Sequence, residues 1–216
     1  MGQNNKTKLY IIFKRLCDFS FAVILFFLLL PVIIFASIWV KMDSKGPILF
    51  KQKRLGKNQC VFTIYKFRTM KIETEKDGRP LLDKQRVTLS GKILRKTSID
   101  ELPQLLNIIK GEMSFIGPRP FPTIDMDTYS SEQMIRFEVL PGITSWTAIH
   151  GRNTLTIQEK YNYEIAYVKN IGLKRDLEIF FKTIILVISC KDVEDRVNPP
   201  RIGADLLDDD PKNTEN

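Results

Sequence analysis

From Phe19 to Val40 the chain reads FSFAVILFFLLLPVIIFASIWV, apolar at nearly every position and free of charge. Such a run is long enough to cross about 30 Å of hydrocarbon as a helix. Pro31 interrupts it and forces a bend. Basic residues flank both ends: Lys6, Lys8, Lys14 and Arg15 before, and Lys41, Lys45, Lys51, Lys53, Arg54 and Lys57 after. A positive-inside bias on both flanks is met by a re-entrant segment that enters, bends and leaves on one side. A kinked span with the more basic side inside is the other topology this pattern allows.

Beyond the run the pattern changes period. PILFKQKR and VFTIYKFRTM have the character of strands, and Gly56-Lys57-Asn58 between them is turn chemistry, so a β-hairpin is predicted. Alternation sets Phe62, Ile64, Lys66 and Arg68 on one face of the second strand. Residues 75–86 are polar and broken by Asp-Gly and Arg-Pro, a loop or lid. Leu102, Leu105, Leu106 and Ile109 recur at helical spacing and predict a helix over about 100–110, stopped by Gly111. Helices are also predicted over about 157–169, from Ile157, Tyr161, Ile165 and Val168, and over about 175–190. The last is apolar over a wide arc, which suits a core helix or one lying in a membrane interface. The tail DLLDDDPKNTEN is acidic and broken by proline, a composition that does not build a core.

Composition narrows the classes. The chain has 216 residues and a formal net charge of +8, which points to an anionic partner such as nucleic acid, anionic lipid or a phosphorylated substrate. Its three cysteines, Cys17, Cys60 and Cys190, lack metal-ligand spacing and suit a reducing compartment. The one histidine, His150, cannot found a histidine-rich metal site and reads as a structural group. No nucleic-acid-binding motif is present, and nucleic acid is not an expected partner.

The candidate chemistry lies in TSIDELPQLL. Pro103 fits only the first turn of a helix, so Asp100 and Glu101 stand at its N-terminus, where negative charge is favoured. Taken alone they are as well explained as a helix cap. Their surroundings are cationic, however. Arg95 and Lys96 precede them, Arg119 is held between Pro118 and Pro120, and Arg152 follows Gly151. Lys66, Arg68, Arg95, Arg119 and Arg152 together are suited to a diphosphate. A carboxylate among them could serve as a nucleophile, and its neighbour as a ligand for Mg²⁺, which binds oxygen donors alongside phosphates.

The runs LFKQKRLGK…YKFRTM, ILRKTSIDELPQLLNIIKGEMSFIGPRP and LPGIT…GRN resemble the bacterial sugar transferases, the monotopic phosphoglycosyl transferases that begin glycan assembly on undecaprenyl phosphate. The resemblance covers roughly residues 12–190, without the extra N-terminal helices and domain of larger members. It implies that Asp100 is a nucleophile taking the phosphosugar from a UDP-sugar with release of UMP, and that Glu101 binds Mg²⁺. It further implies that Lys66, Arg95, Arg119 and Arg152 contact phosphate or nucleotide, and that Pro31 bends a re-entrant helix. The expected partners are a UDP-sugar, undecaprenyl phosphate and inner-membrane lipid at the cytoplasmic face; a homodimer is compatible with the sequence. A non-catalytic membrane-anchored scaffold of a glycan-assembly complex is the rival reading.

The chain departs from the family pattern at three places. Leu30 precedes Pro31 where serine is common. Ser145, Ala148 and His150 stand where glycine, glutamine and asparagine are usual, and Glu164 stands where an aspartate is frequent. The expected fold is α-dominated α+β, a compact domain with a small β-hairpin and amphipathic interfacial helices. The expected organisation is a basic segment over 1–18, a re-entrant helix over 19–40, a catalytic domain over 41–190 and an acidic tail over 191–216.

Overall fold

The computed structural model describes residues 5–72, 75–76, 79–80, 82–121, 130–151 and 154–188. Its fold is mostly helical with small sheets, as an α+β class requires. Helix α1 (Asn5–Leu28) runs through the expected boundary at residue 19, its earlier turns tied to Asp176 by Tyr10 and Lys14. Helix α2 (Leu30–Asp43) follows at 63°. The break falls at Leu29, and Pro31 lies in the first turn of α2, where its missing N–H costs no hydrogen bond. Leu29 still donates to the Leu25 carbonyl, and Ile33 to that of Leu29, at 2.9 Å each, on the two sides of the bend. Among the described residues no single helix is long and apolar enough to cross a membrane, whereas the bent pair qualifies by length and composition.

The hairpin forms as its pattern predicts. Strand β1 (Leu49–Leu55) pairs antiparallel with β2 (Val61–Phe67) across a 3₁₀ turn at Lys57–Gln59, where Asn58 and Gln59 take positive φ. In the register Arg54 faces Phe62, Gln52 faces Ile64 and Phe50 faces Lys66. One face therefore has buried Phe62 and Ile64 in its middle, Arg54 toward the turn and Lys66 toward the open end. Arg68 falls beyond the strand and does not continue this face.

Short elements follow. Strands β3 (Glu75–Lys76) and β4 (Arg79–Pro80) and helix α3 (Asp83–Arg86) occupy parts of the predicted loop. Helix α4 (Leu89–Thr97) begins at Thr88, whose hydroxyl accepts from the Gly91 amide at 3.0 Å. The helix predicted over 100–110 is two pieces, a 3₁₀ segment at Ile99–Gln104 and then α5 (Leu105–Lys110). Pro103 explains the division: it cannot donate to the α-helical ladder, and the tighter turn brings it in without one. The change of period also rotates the buried face, which in α5 is Leu105, Asn107 and Ile108. Gly111 ends α5 at φ +86°, the left-handed stop its position predicts.

Parallel strands β5 (Ser114–Ile116) and β6 (Gly142–Thr144), a 3₁₀ segment at Gln133–Glu138, helix α6 (Ile157–Lys169) and helix α7 (Leu173–Ile188) complete the described chain. Helix α6 has the predicted bounds and a reciprocal cap between Thr156 and Glu159. Helix α7 buries Ile179 and Asp176 but leaves Leu177, Phe180, Phe181 and Ile185 exposed, an apolar face outside the core. The acidic tail, Arg152 and Cys190 lie outside the described residues.

Three apolar clusters hold these elements together. Ala22 of α1 packs with Phe62, Ile64, Leu105, Ile108 and Met113, so the bent helix pair contributes directly to the core under the hairpin. Ala36 and Val40 of α2 join Phe67 and Leu94. The third cluster joins Ile116, Val139, Trp146, Tyr167, Val168 and Ile179. The small residues at 22 and 36 let the helices approach closely; the larger apolar residues of α1 and α2, such as Phe27, Phe35 and Ile38, remain exposed.

Candidate active site

The Asp100–Glu101 pair sits in the first turn of the 3₁₀ segment, immediately after Ser98, whose φ of +59° ends α4 and redirects the chain. Both acids are half-buried. The segment lies along β2, and Lys66 Nζ meets Glu101 Oε1 at 2.7 Å. Predicted on separate elements, Lys66 and Glu101 are thus brought together. Helix α5 is held on the same strand by Asn107, which is fully buried: its Oδ1 accepts from the Tyr65 amide at 3.2 Å, and its Nδ2 donates to the Thr63 carbonyl at 2.7 Å. The side chain thereby satisfies the edge of β2 where no third strand lies.

Arg95 is in the last turn of α4, five positions before Asp100, and its Nε donates to the Thr69 hydroxyl at 2.9 Å. Arg68 has a different place from the one predicted. It is 5 % exposed, and its guanidinium donates to the carbonyls of Lys45 at 2.5 Å, Ser44 at 2.7 Å and Val40 at 3.3 Å. A cation at the end of α2 satisfies carbonyls that the helix leaves open. Arg68 is a tie between the bent helix pair and the hairpin, its two terminal nitrogens turned to backbone. Two further charges tie the bent pair to other elements. Arg15 of α1 donates to the Ile108 and Ile109 carbonyls at 2.6 and 3.2 Å, capping α5. Asp43 of α2 accepts from the Ser90 amide and hydroxyl at 2.8 and 2.6 Å, at the start of α4. Burial works against the Asp43 carboxylate, but these bonds and the Thr88 hydroxyl hold it below the ordinary aspartate range.

Arg119 is exposed on the Pro118–Pro120 turn beside Arg54, the other cation of the hairpin face with Lys66. Arg54 Nη2 donates to Gln52 Oε1 at 2.6 Å, and Nη1 reaches toward the Pro120 carbonyl at 3.5 Å. Burial, then the charge of Arg119, lowers the affinity of Arg54 for its proton. The hairpin face thus ends in Lys66 at one end and the Arg54–Arg119 neighbours at the other. Lys66 and Arg54 are four register positions apart, about 13 Å of strand.

Sequence reasoning gave Arg54, Arg136 and Glu164 no site role, though it marked Glu164 as a departure from the family pattern and counted Arg54 in the basic flank. Arg136 and Glu164 are 2 % and 1 % exposed and form an ion pair. The signal for Glu164 was present: it falls three positions after Tyr161, on the same stripe as Ile165 and Val168, where an acid is out of place. His150 is packed as a structural group, its Nδ1 2.9 Å from the Trp146 carbonyl and its ring stacked on Tyr163. Ser145 is buried and accepts the Ala148 amide at 3.0 Å, so this departure shapes its own loop.

Among the described residues no three His, Cys, Asp or Glu side chains gather to hold a metal. Two adjacent carboxylates fit Mg²⁺ in a different way, because that ion is commonly held by one or two carboxylates together with substrate phosphates and water.

Residues 9–190 match the model of the family described as "Bacterial sugar transferase". The chain is 40 % identical over 183 residues to the uncharacterized sugar transferase EpsL of Bacillus subtilis, covering 85 % of this chain and 91 % of that one. It is 38 % identical to the UDP-glucose:undecaprenyl-phosphate glucose-1-phosphate transferase of Caulobacter vibrioides, over 79 % of this chain and 68 % of the relative. It is 37 % identical to the UDP-N-acetylgalactosamine-undecaprenyl-phosphate N-acetylgalactosaminephosphotransferase of Aeromonas hydrophila, over 88 % of this chain but 47 % of the relative. This chain belongs to the bacterial sugar transferase family, and it is an enzyme of the transferase class.

Proposed function

We propose that the protein transfers the phosphosugar of a UDP-sugar to undecaprenyl phosphate, starting a lipid-linked glycan at the cytoplasmic face of the bacterial inner membrane. The observation that carries this reading is the half-buried Asp100–Glu101 pair with Lys66 on Glu101, in a chain whose relatives are named for that reaction. The Asp100 carboxylate attacks the phosphorus that bears the sugar. A carboxylate oxygen–phosphorus bond forms, the diphosphate bridge breaks, and UMP leaves with the bridging oxygen. An oxygen of undecaprenyl phosphate then attacks the same phosphorus, freeing Asp100 and giving an undecaprenyl diphosphosugar. Lys66, Arg95, Arg119 and Arg152 hold the diphosphate and nucleotide, so that positioning and charge neutralisation supply most of the rate. Glu101 would hold Mg²⁺, which supplies neutralisation of the diphosphate charge.

The bent helix pair serves as the re-entrant anchor, with its exposed apolar residues and those of α7 in the bilayer. The relatives' names include both glucose and N-acetylgalactosamine, so the sugar is best found with a panel. The test is UMP release from UDP-sugars in the presence of undecaprenyl phosphate and Mg²⁺. Without acceptor, a sugar-labelled substrate should leave label on the wild-type protein and none on Asp100→Asn. Asparagine caps a helix about as well as aspartate, so a helix cap alone predicts unchanged turnover. The nucleophile predicts a loss of several orders of magnitude with folding intact. Absence of UMP release with every sugar tried would favour the scaffold instead.

A further inference from the structure

Pro118 and Pro120 lack N–H groups, so the Arg119 amide is the sole backbone donor across that turn. It donates to Glu164 Oε1 at 3.1 Å. The Arg119 carbonyl accepts from Arg136 Nη2 at 2.6 Å. Glu164 and Arg136 are themselves the buried ion pair, so one pair of opposite charges grips both polar groups of a single residue's backbone.

The grip is supported on every side. The Arg136 guanidinium lies 3.7 Å from the centroid of the Phe121 ring, and Phe121 stacks on Tyr161 of α6 at 5.5 Å. Thr147 Oγ1 donates toward Glu164 Oε1 at 3.4 Å, bringing in the loop that follows β6. Burial pushes the Glu164 carboxyl up, opposed by Arg136 and the Arg119 amide. Burying two charges is costly, and apolar residues of similar size commonly do as well for stability alone. What this pair adds is a fixed backbone under an exposed guanidinium.

We propose that Arg136 and Glu164 are positioning residues that aim Arg119 at the diphosphate of the donor substrate. The proposal rests on the reading of Arg119 as a substrate contact and adds that its affinity depends on a clamp that itself never touches substrate. A clamped arginine loses less freedom on binding than one on a free loop.

The test measures UDP binding by calorimetry, with Mg²⁺ present, in the full-length membrane-reconstituted protein. Stranding one buried charge risks unfolding, so the main variant is the charge-free pair Arg136→Met/Glu164→Gln. It should keep a cooperative thermal transition yet weaken UDP at least about tenfold. Glu164→Asp, which keeps the charge but shortens the reach, should lose less. The decisive arm adds the charge-free pair to Arg119→Ala. If the clamp acts through Arg119, the added pair weakens UDP no further. Equal losses in both backgrounds, or none in either, would overturn the clamp while leaving Arg119 a contact. Unchanged binding in Arg119→Ala alone would instead overturn Arg119 as a contact, and the functional clamp with it. Should the charge-free pair fail to fold, the same cycle is run with Glu164→Asp, and additivity there counts against the clamp equally.

Discussion

Lys66 and Glu101 illustrate how a contact can matter little for folding and much for binding. Their side chains are 26 % and 21 % exposed, a setting in which an ion pair contributes at most about 1 kcal/mol to stability. Lys66→Met should therefore lower the melting temperature by no more than about 2–4 °C. If Lys66 passes from Glu101 to a substrate phosphate, KM for the UDP-sugar should rise at least about tenfold in steady-state assays. An unchanged KM would confine the lysine to its ion pair. Neither partner advertises the other in the sequence, since 35 positions separate them. Only the hairpin register and the turn after Ser98 bring them together. Arg68 is the converse case. Strand alternation extended one residue too far made it a phosphate ligand, whereas the strand ends at Phe67 and the guanidinium turns to helix-end carbonyls.

At the scale of elements, legibility followed the strength of the local signal. Helix α6 has an apolar stripe with a capping box and was readable to its ends; the β1–β2 hairpin had alternation and turn residues. Helix α4 has a short polar sequence with an internal glycine, and β5 and β6 are three residues each, too short for alternation to register. The 3₁₀ segment before α5 reflects Pro103, which marks where a helix starts without saying with which period. The stop of α5 was readable, and it can be tested. Gly111 has φ +86°, and a Cβ there would lie 3.1 Å from Arg15 Nη2. Gly111→Ala should cost about 1 kcal/mol or more for the left-handed backbone. A chain of this size should then melt about 2–4 °C lower by calorimetry. An undiminished transition would mean that neither the turn nor the Arg15 cap constrains this helix end.

For the whole molecule, the bent helix pair is the feature that composition anticipated and geometry refined, with its break at Leu29 and a 63° angle. A re-entrant topology predicts that both flanks share one compartment. Single cysteines at Asn5 and Asn58, in a protein lacking Cys17, Cys60 and Cys190, should both resist an impermeant thiol reagent in intact cells. Labelling at position 5 alone would make the pair a kinked span. At the departure of Leu30 from the usual serine, the backbone bonds of Leu29 to Leu25 and of Ile33 to Leu29 flank the bend.

The three charges at helix ends, Arg15, Asp43 and Arg68, have a consequence for where the Asp100–Glu101 dyad is held. Arg15 grips the C-terminal end of α5, and the six residues of α5 and five of the 3₁₀ segment then lead back to Asp100. At the rises of the two helix types that is a strut of about 20 Å. Asp43 fixes the start of the neighbouring helix that ends beside the dyad. If the bent pair is the proposed anchor, it would act as a ruler, setting the height of the dyad by protein geometry, independent of how the surrounding lipid happens to pack. An acceptor whose phosphate floats at the headgroup level would then meet the proposed nucleophile at a constant depth, while its long tail is free to vary. Cutting the chain after Asp43 would remove the ruler's zero mark along with the anchor, leaving a shortened protein with no defined working height.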